Sequence, residues 1–266
     1  MRPDPSTALL IDMDGVLYQG EQAIAGAAET LDWLRANAVA HRFVTNASSR
    51  PRAQLVARLA GHGITVEETH ILTPLVAAAD WLREQVDGPV AAFVPDATLA
   101  DLDGLALARD PEHDRAGAVV VGDLGAGWDF ATLNRAFRFL MQPDAPPLLA
   151  LGMTRYWRAE DGLRLDTAPF VMALAHASGR EPQVFGKPAA AFFERALAAL
   201  GASPATTWMI GDDLRGDVGG AQAAGMRGLL VRTGKFRADE LATSDIRPEA
   251  VLDSIAELPR WWSGGD

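Results

Sequence analysis

The sequence predicts an α/β fold: a doubly wound, Rossmann-like parallel sheet built from the two ends of the chain, with a second α/β segment inserted between them. Three observations carry this. Short apolar runs that end in polar residues alternate with stretches of helical periodicity at the start of the chain. The same alternation returns near its end, and over a hundred residues of separate strand and helix pattern lie between. The core is therefore assigned to 1–73 and 181–266, and the inserted domain to 74–180.

"ALLID", Ala8 to Asp12, is an apolar run closed by an aspartate, the pattern of a strand buried on both faces. From Gly26, "GAAETLDWLRANA" carries apolar residues at helical spacing, and "HRFVTN", His41 to Asn46, is again a short strand ending in polar residues. Strand, helix and strand make a parallel βαβ unit. "SRPRAQLVARLAGHG" adds a helix with Pro51 near its start and a glycine after its end. The inserted segment reads as "PLVAAADWLREQV" helix, "PVAAFV" and "AGAVVVGD" strands, "ATLNRAFRFLM" helix, "PLLALG" strand and "TAPFVMALAHASG" helix. The second half of the core reads as "PQVFGK" strand, "AAAFFERALAALG" helix, "TTWMIGDD" strand, "GDVGGAQAAG" helix start and "RGLLVRTG" strand. The tail "VLDSIAELPRWW" reads as one helix, with Trp261 and Trp262 packing back on the core.

Composition narrows the function classes. The 266 residues are 48% hydrophobic, ample for a core, and Lys+Arg 24 against Asp+Glu 35 gives a net charge of -11. No broad basic surface is available for a nucleic acid or an anionic membrane, so neither is expected as a partner, and an anionic substrate must be held by local groups. With no cysteine, disulfides and thiolate metal sites are excluded, which fits a reducing cytoplasm. The head "MRPDPSTALLIDMDG" has too short an apolar stretch for a signal peptide, and no run approaches the roughly 18 apolar residues of a membrane span. The expectation is a cytoplasmic protein.

In an open parallel sheet, ligands bind beyond the carboxyl ends of the strands, and the polar residues gather there. The first strand ends at Asp12 and Asp14, the second at Thr45 and Asn46, a later one at Lys187, and another at Asp212 and Asp213 with Asp217 after them. So many carboxylates repel one another unless a hard cation sits among them, and oxygen ligands point to Mg²⁺. A cation, an ammonium, a hydroxyl and a carboxylate able to attack phosphorus suit phosphoryl transfer. Singly, each residue has a plainer reading. Asp-X-Asp is common in surface turns, Thr45 is a strand-end hydroxyl, Lys187 a loop lysine before Pro188, and Asp217 a helix-start carboxylate.

The order of "DMDGVLY", "TNAS", "GKP" and "GDDLRGD" resembles the four motifs of the haloacid dehalogenase superfamily, and they span almost the whole chain. More narrowly, the chain resembles subfamily IIA phosphatases with a C2-type α/β cap between the second and third motifs. The runs "VFGKPAAAFFERAL", "MIGDDLRGDVGGAQAAGM" and "VRTGKFR" are similar to the phospholysine phosphohistidine inorganic pyrophosphate phosphatase group and its paralogues. The resemblance implies Asp12 as nucleophile and metal ligand. It implies Asp14 as the acid that protonates the leaving oxygen and then the base that activates water, with its backbone carbonyl on Mg²⁺. Thr45 and the Asn46 backbone are implied to bind phosphoryl oxygens, Lys187 to offset charge, and Asp212 to be the third protein ligand. Asp213 and Asp217 are implied to hold ligands or bound waters. The substrate is expected to be a small phosphate monoester, pyrophosphate or a phosphoramidate, and a homodimer paired through the cap follows from the same resemblance.

Rival readings are a phosphotransferase of the same superfamily, a signalling receiver domain and a silent scaffold. The mutases known for this chemistry carry a cap between the first two motifs, where Gly20 to His41 here holds one helix. A receiver places its acceptor aspartate on a middle strand of a domain about half this length. A scaffold has no need of Asp12, Asp14, Thr45, Lys187 and Asp212 together. "RTGKF" lacks the upstream glycine and the Ser/Thr of a phosphate loop, "GDLGAG" lacks dinucleotide spacing, and the five histidines show no ligand spacing. Trp128 and Phe130 in "GDLGAGWDF" are open to either substrate contact or packing.

Overall fold

The computed structural model describes residues 7–159 and 161–264, so the proline-bearing head before Thr7 lies outside the described residues. Contacts divide the chain into two compact units. One holds residues up to Thr45, Ala53–Leu72 and those from Lys187 on, and the other holds Asn46–Arg52 and Thr73–Gly186.

The first unit is built on β1 (Ala8–Asp12), β4 (Ala40–Val44), β5 (Ile71–Leu72), β12 (Thr207–Gly211), β13 (Arg227–Val231) and β14 (Ala250–Leu252). They form a six-stranded sheet in the order β14-β13-β12-β1-β4-β5, parallel throughout. Every residue of β1 and β12 is buried, which is why both read as unbroken apolar runs rather than alternating ones. From β1 the chain winds outward through β4 to β5, and from β12 it winds the opposite way through β13 to β14. The strand order therefore reverses between β1 and β12, and a crevice opens at their carboxyl ends. The helices of this unit are α1 (Ala27–Ala36), α2 (Arg52–Gly61), α6 (Ala190–Leu200), α7 (Gly220–Ala223), α8 (Ala238–Thr243) and α9 (Leu258–Trp262), and a small hairpin, β2 (Tyr18–Gln19) with β3 (Gln22–Ala23), comes after the first strand. Trp261 packs edge-on to the buried Trp208 at 5.1 Å between ring centres.

The second unit has its own parallel sheet, ordered β11-β8-β7-β6 from β6 (Val90–Phe93), β7 (Ala118–Val121), β8 (Leu148–Ala150) and β11 (Pro182–Val184), with helices α3 (Pro74–Gln85), α4 (Phe130–Leu140) and α5 (Thr167–Ser178). Pro74 opens α3 behind Thr73, whose side chain accepts from Val76 N at 3.2 Å. Phe93, Val119, Val121, Phe139 and Val171 fill its core. Trp128 belongs to that packing, stacked on Phe93 and Phe170, whereas Phe130 is 84% exposed. The stretch after Met153 forms an antiparallel hairpin, β9 (Tyr156–Ala159) with β10 (Gly162–Leu165).

The structure departs from two expectations. "PQVFGK" is a strand, but it pairs with β8 and so extends the sheet of the second unit instead of the six-stranded one. The tail is not one helix: Ala250–Leu252 is the edge strand beside β13, and the helix begins only at Leu258. Three apolar-leaning residues carry too little pattern to separate a strand from a helical turn, and the parallel partner decides.

Candidate active site

The residues at the carboxyl end of the six-stranded sheet are positioned by the strands beneath them. β1 runs fully buried into Asp12, which is itself only 6% exposed. Lys187, from the loop before α6, reaches it with a 2.6 Å bond from Nζ to Asp12 Oδ1, and a second 2.6 Å bond runs from Nζ to Asp217 Oδ1. Burial alone lowers a lysine's pKa. Here the two facing carboxylates and their hydrogen bonds outweigh it and hold Lys187 above its ordinary value, as an ammonium.

The segment after β12 sorts the three aspartates of "GDDLRGD". Asp213 caps the turn Leu214–Gly219, its side chain accepting from Arg215 N at 3.1 Å and Gly216 N at 2.8 Å. This turn is π-helical, wider than an α-turn, and it carries Asp217 back under the strand end. There Asp217 Oδ2 accepts from Asp213 N at 3.1 Å while Oδ1 takes the lysine. Burial pushes the Asp217 carboxyl up to about 6 against the opposing pull of Lys187. Burial, reinforced by the charge of Asp12, pushes Asp212 up to about 7.

Asp12, Asp212 and Asp217 thus meet, with one oxygen of each lying within 4.8 Å of the others, and the Lys187 ammonium bonded to two of them. Asp212 Oδ1 is a buried oxygen with no hydrogen-bond partner among the described residues. A buried carboxylate oxygen is ordinarily satisfied, so an unpartnered one among like charges marks where a cation belongs. With oxygen donors only, the set fits a hard divalent ion. Asp217, which the resemblance places in a supporting role, stands within this group.

Asp14 is exposed, just past the strand, where Gly15 turns the backbone at a φ of 83° and donates from its N–H to Tyr18 O at 2.6 Å. Thr45 is buried at the end of β4, with its N–H on Leu72 O at 3.2 Å. The contact division falls directly after it, and Asn46 belongs to the second unit, where its Oδ1 lies 3.3 Å from the Cβ position of Gly186. Tyr156, at the start of the hairpin, is 52% exposed, and the Arg158 side chain lies outside the described residues.

The sequence reading gave no role to the loop after β13. Lys235 N donates to Asp212 Oδ2 at 2.7 Å, and its ammonium lies 3.6 Å from Asp213 Oδ2. A threonine-glycine pair two residues past an apolar strand is the available signal, since it puts another loop at the same sheet edge.

The family model described as haloacid dehalogenase-like hydrolase matches residues 9–107, and one described as HAD-hydrolase-like matches residues 184–258. The phospholysine phosphohistidine inorganic pyrophosphate phosphatase of Homo sapiens is 37% identical over 253 residues, spanning 94% of this chain and 91% of that protein. Haloacid dehalogenase-like hydrolase domain-containing protein 2 of Bos taurus is 42% identical over 248 residues, spanning 93% of this chain and 92% of its own length. Among solved structures, the glycerol phosphate phosphatase of Mycobacterium tuberculosis in complex with magnesium superposes with a TM-score of 0.82 at 29% identity, covering 95% of this chain and 76% of that one.

Proposed function

The chain belongs to the haloacid dehalogenase-like hydrolase family, and on that premise we propose that it is a Mg²⁺-dependent phosphatase that works through an aspartyl-phosphate. The observation that carries this reading is the buried group of Asp12, Asp212 and Asp217 around Lys187, with Asp212 Oδ1 unpartnered.

In this proposal Asp12 uses a carboxylate oxygen to attack phosphorus, the bond from phosphorus to the leaving group breaks, and Asp14 gives its proton to the departing atom. Asp14, now a carboxylate, takes a proton from water as that water attacks the aspartyl-phosphate, which releases inorganic phosphate and restores Asp12. Lys187, fixed on Asp12, offsets the charge that gathers between nucleophile and phosphate. The Thr45 hydroxyl and the Asn46 backbone N–H donate to phosphoryl oxygens. Mg²⁺, held by Asp12, the Asp14 backbone carbonyl and Asp212, would polarise the phosphoryl group and neutralise part of its charge. Asp213 and Asp217 hold these ligands, Asp213 through the turn it caps and Asp217 through Lys187.

The substrate is a small phosphorylated molecule: a monoester, pyrophosphate, or a phosphoramidate of the phosphohistidine or phospholysine type. The inserted domain acts as a cap that supplies leaving-group contacts and excludes water. A cytoplasmic homodimer paired through that cap is part of the same proposal, supported by the exposed Tyr156, Leu163 and Leu165 on its hairpin. Among the described residues no helix is long and apolar enough to cross a membrane.

The test is phosphate release from p-nitrophenyl phosphate, pyrophosphate and a phosphoramidate, with Mg²⁺ and with EDTA, for the wild type and Asp12→Asn. Metal-dependent release abolished in the variant supports the reading, and the ranking of the three substrates selects the leaving-group class. A folded protein that releases phosphate from none of them, or a variant as active as wild type, overturns it. Transfer of the phosphoryl group to an added alcohol instead of water identifies a phosphotransferase.

A further inference from the structure

Three consecutive residues after β13, Thr233, Gly234 and Lys235, make contacts that the proposed chemistry does not use. The Thr233 hydroxyl donates to the carbonyl of Gly15 and so ties this loop to the turn after the first strand. Gly234 sits at a φ of 63°, and a Cβ there would stand 1.9 Å from Asp212 Oδ2 and 2.7 Å from the Gly15 Cα. Gly15 mirrors it: a Cβ at that position would also meet Asp212 Oδ2 at 1.9 Å. The same oxygen accepts the Lys235 N–H at 2.7 Å.

One oxygen of Asp212 is thus pinched between two bare Cα atoms and bonded to a backbone amide, while the other is buried and bonded to nothing among the described residues. Any side chain at either glycine would push the carboxylate out of this slot, and without the amide bond the two oxygens would be free to exchange places. We infer that the Thr233-Gly234-Lys235 loop is a positioning clamp that fixes the Asp212 carboxylate with Oδ2 held by protein and Oδ1 presented to the cation. The Thr233 hydroxyl is its latch, because that bond keeps Gly234 pressed against Gly15 on the far side of the carboxylate. The inference rests on the proposed metal site, and it makes Thr233 and Gly234 positioning residues that touch neither substrate nor metal. A ligand held at one angle by neighbours that do not themselves ligate is the usual way a site's metal affinity is set.

The experiment is calorimetric titration of Mg²⁺ into the substrate-free protein for wild type, Gly234→Ala, Thr233→Val, Thr233→Ser and Asp212→Asn, with a thermal melt of each metal-free form. Gly234→Ala is expected to weaken Mg²⁺ binding about 10-fold or more, and Thr233→Val by about 5-fold. Thr233→Ser, which keeps the hydroxyl, is expected to bind within about twofold of wild type. At saturating Mg²⁺ the Thr233→Val variant is expected to regain wild-type kcat, which a general loss of structure would not allow. Thr233→Val removes only a hydroxyl bond, so it keeps the question open to decision if Gly234→Ala does not fold. Wild-type affinity in folded Thr233→Val, with binding lost in Asp212→Asn, overturns the clamp and leaves the metal site standing. Wild-type affinity in Asp212→Asn removes the metal reading itself.

Discussion

Lys187 is the residue on which the site's stability turns. Its ammonium is the shared partner of two buried carboxylates, and taking one member out of such a group leaves uncompensated charge in a low-dielectric place. Lys187→Met is therefore expected to lower the unfolding free energy by about 3–5 kcal/mol, read by urea denaturation in EDTA. Asp14 differs, being exposed and outside the cluster. Asp14→Asn is expected to slow alkyl phosphates, whose leaving oxygen needs a proton, by about 10²–10⁴-fold and p-nitrophenyl phosphate far less; an equal loss on both would remove Asp14 from the acid role. Asp12 and Asp212 were legible in the sequence because each directly follows an apolar run, and the end of a buried strand is where a parallel sheet puts its ligands. The partnership of Asp217 with Lys187 was not legible. It depends on the wide turn at Leu214–Gly219, a departure from helical period that no residue pattern announces.

At the scale of the element, the strands marked by apolar runs are legible, whereas two short edge strands are not. Ile71–Leu72 and Ala250–Leu252 are edge strands of two and three residues, held by a neighbour's hydrogen bonds rather than by a pattern of their own. "PQVFGK" was legible as a strand, but which sheet it joins is set by its pairing with β8, a partner more than thirty residues away. β4 supplies a pH-dependent term. His41 is half-buried at its start, with Nδ1 on Val39 O at 2.8 Å, and burial, helped by the nearby Arg35 and His70, holds its pKa below the ordinary imidazole range despite that bond. The unfolded chain therefore takes up the proton first as pH falls. Stability from this group is present above about pH 6.5 and is lost as pH drops through the depressed value. His41→Gln is expected to flatten the fall in Tm between about pH 7 and pH 5, and an unchanged profile would show that His41 contributes nothing to it.

For the whole molecule, the net charge of -11 and the carboxylate cluster work in the same direction. Each carboxylate drawn into the cluster adds repulsion that the Lys187 ammonium offsets only in part, so the folded state is expected to bind Mg²⁺ while the unfolded chain does not. At a hundred times its dissociation constant the ion should add about 2.7 kcal/mol to stability. The matching observation is a Tm that climbs with Mg²⁺, falls back with EDTA, and does neither in Asp212→Asn. The two-part organisation was legible because the strand-helix alternation is interrupted and then resumes. The membership of Asn46–Arg52 in the second unit was not, since it rests on tertiary contacts such as the ion pair of Arg52 with the buried Asp101, at 2.9 Å.

The pinched carboxylate also bears on which ion the protein can tell apart from another. Asp212 has one oxygen committed to the Lys235 amide, so it can offer a metal a single atom and never a chelating pair. Ca²⁺ gathers six to eight oxygens and often takes carboxylates two atoms at a time, whereas Mg²⁺ is content with single oxygens and retained water. The slot between Gly15 and Gly234 thereby acts as a filter on ionic size: Ca²⁺ should bind more weakly than Mg²⁺ in the same calorimeter, and the gap should narrow once the Thr233 hydroxyl is removed and the carboxylate is free to turn both oxygens toward the ion.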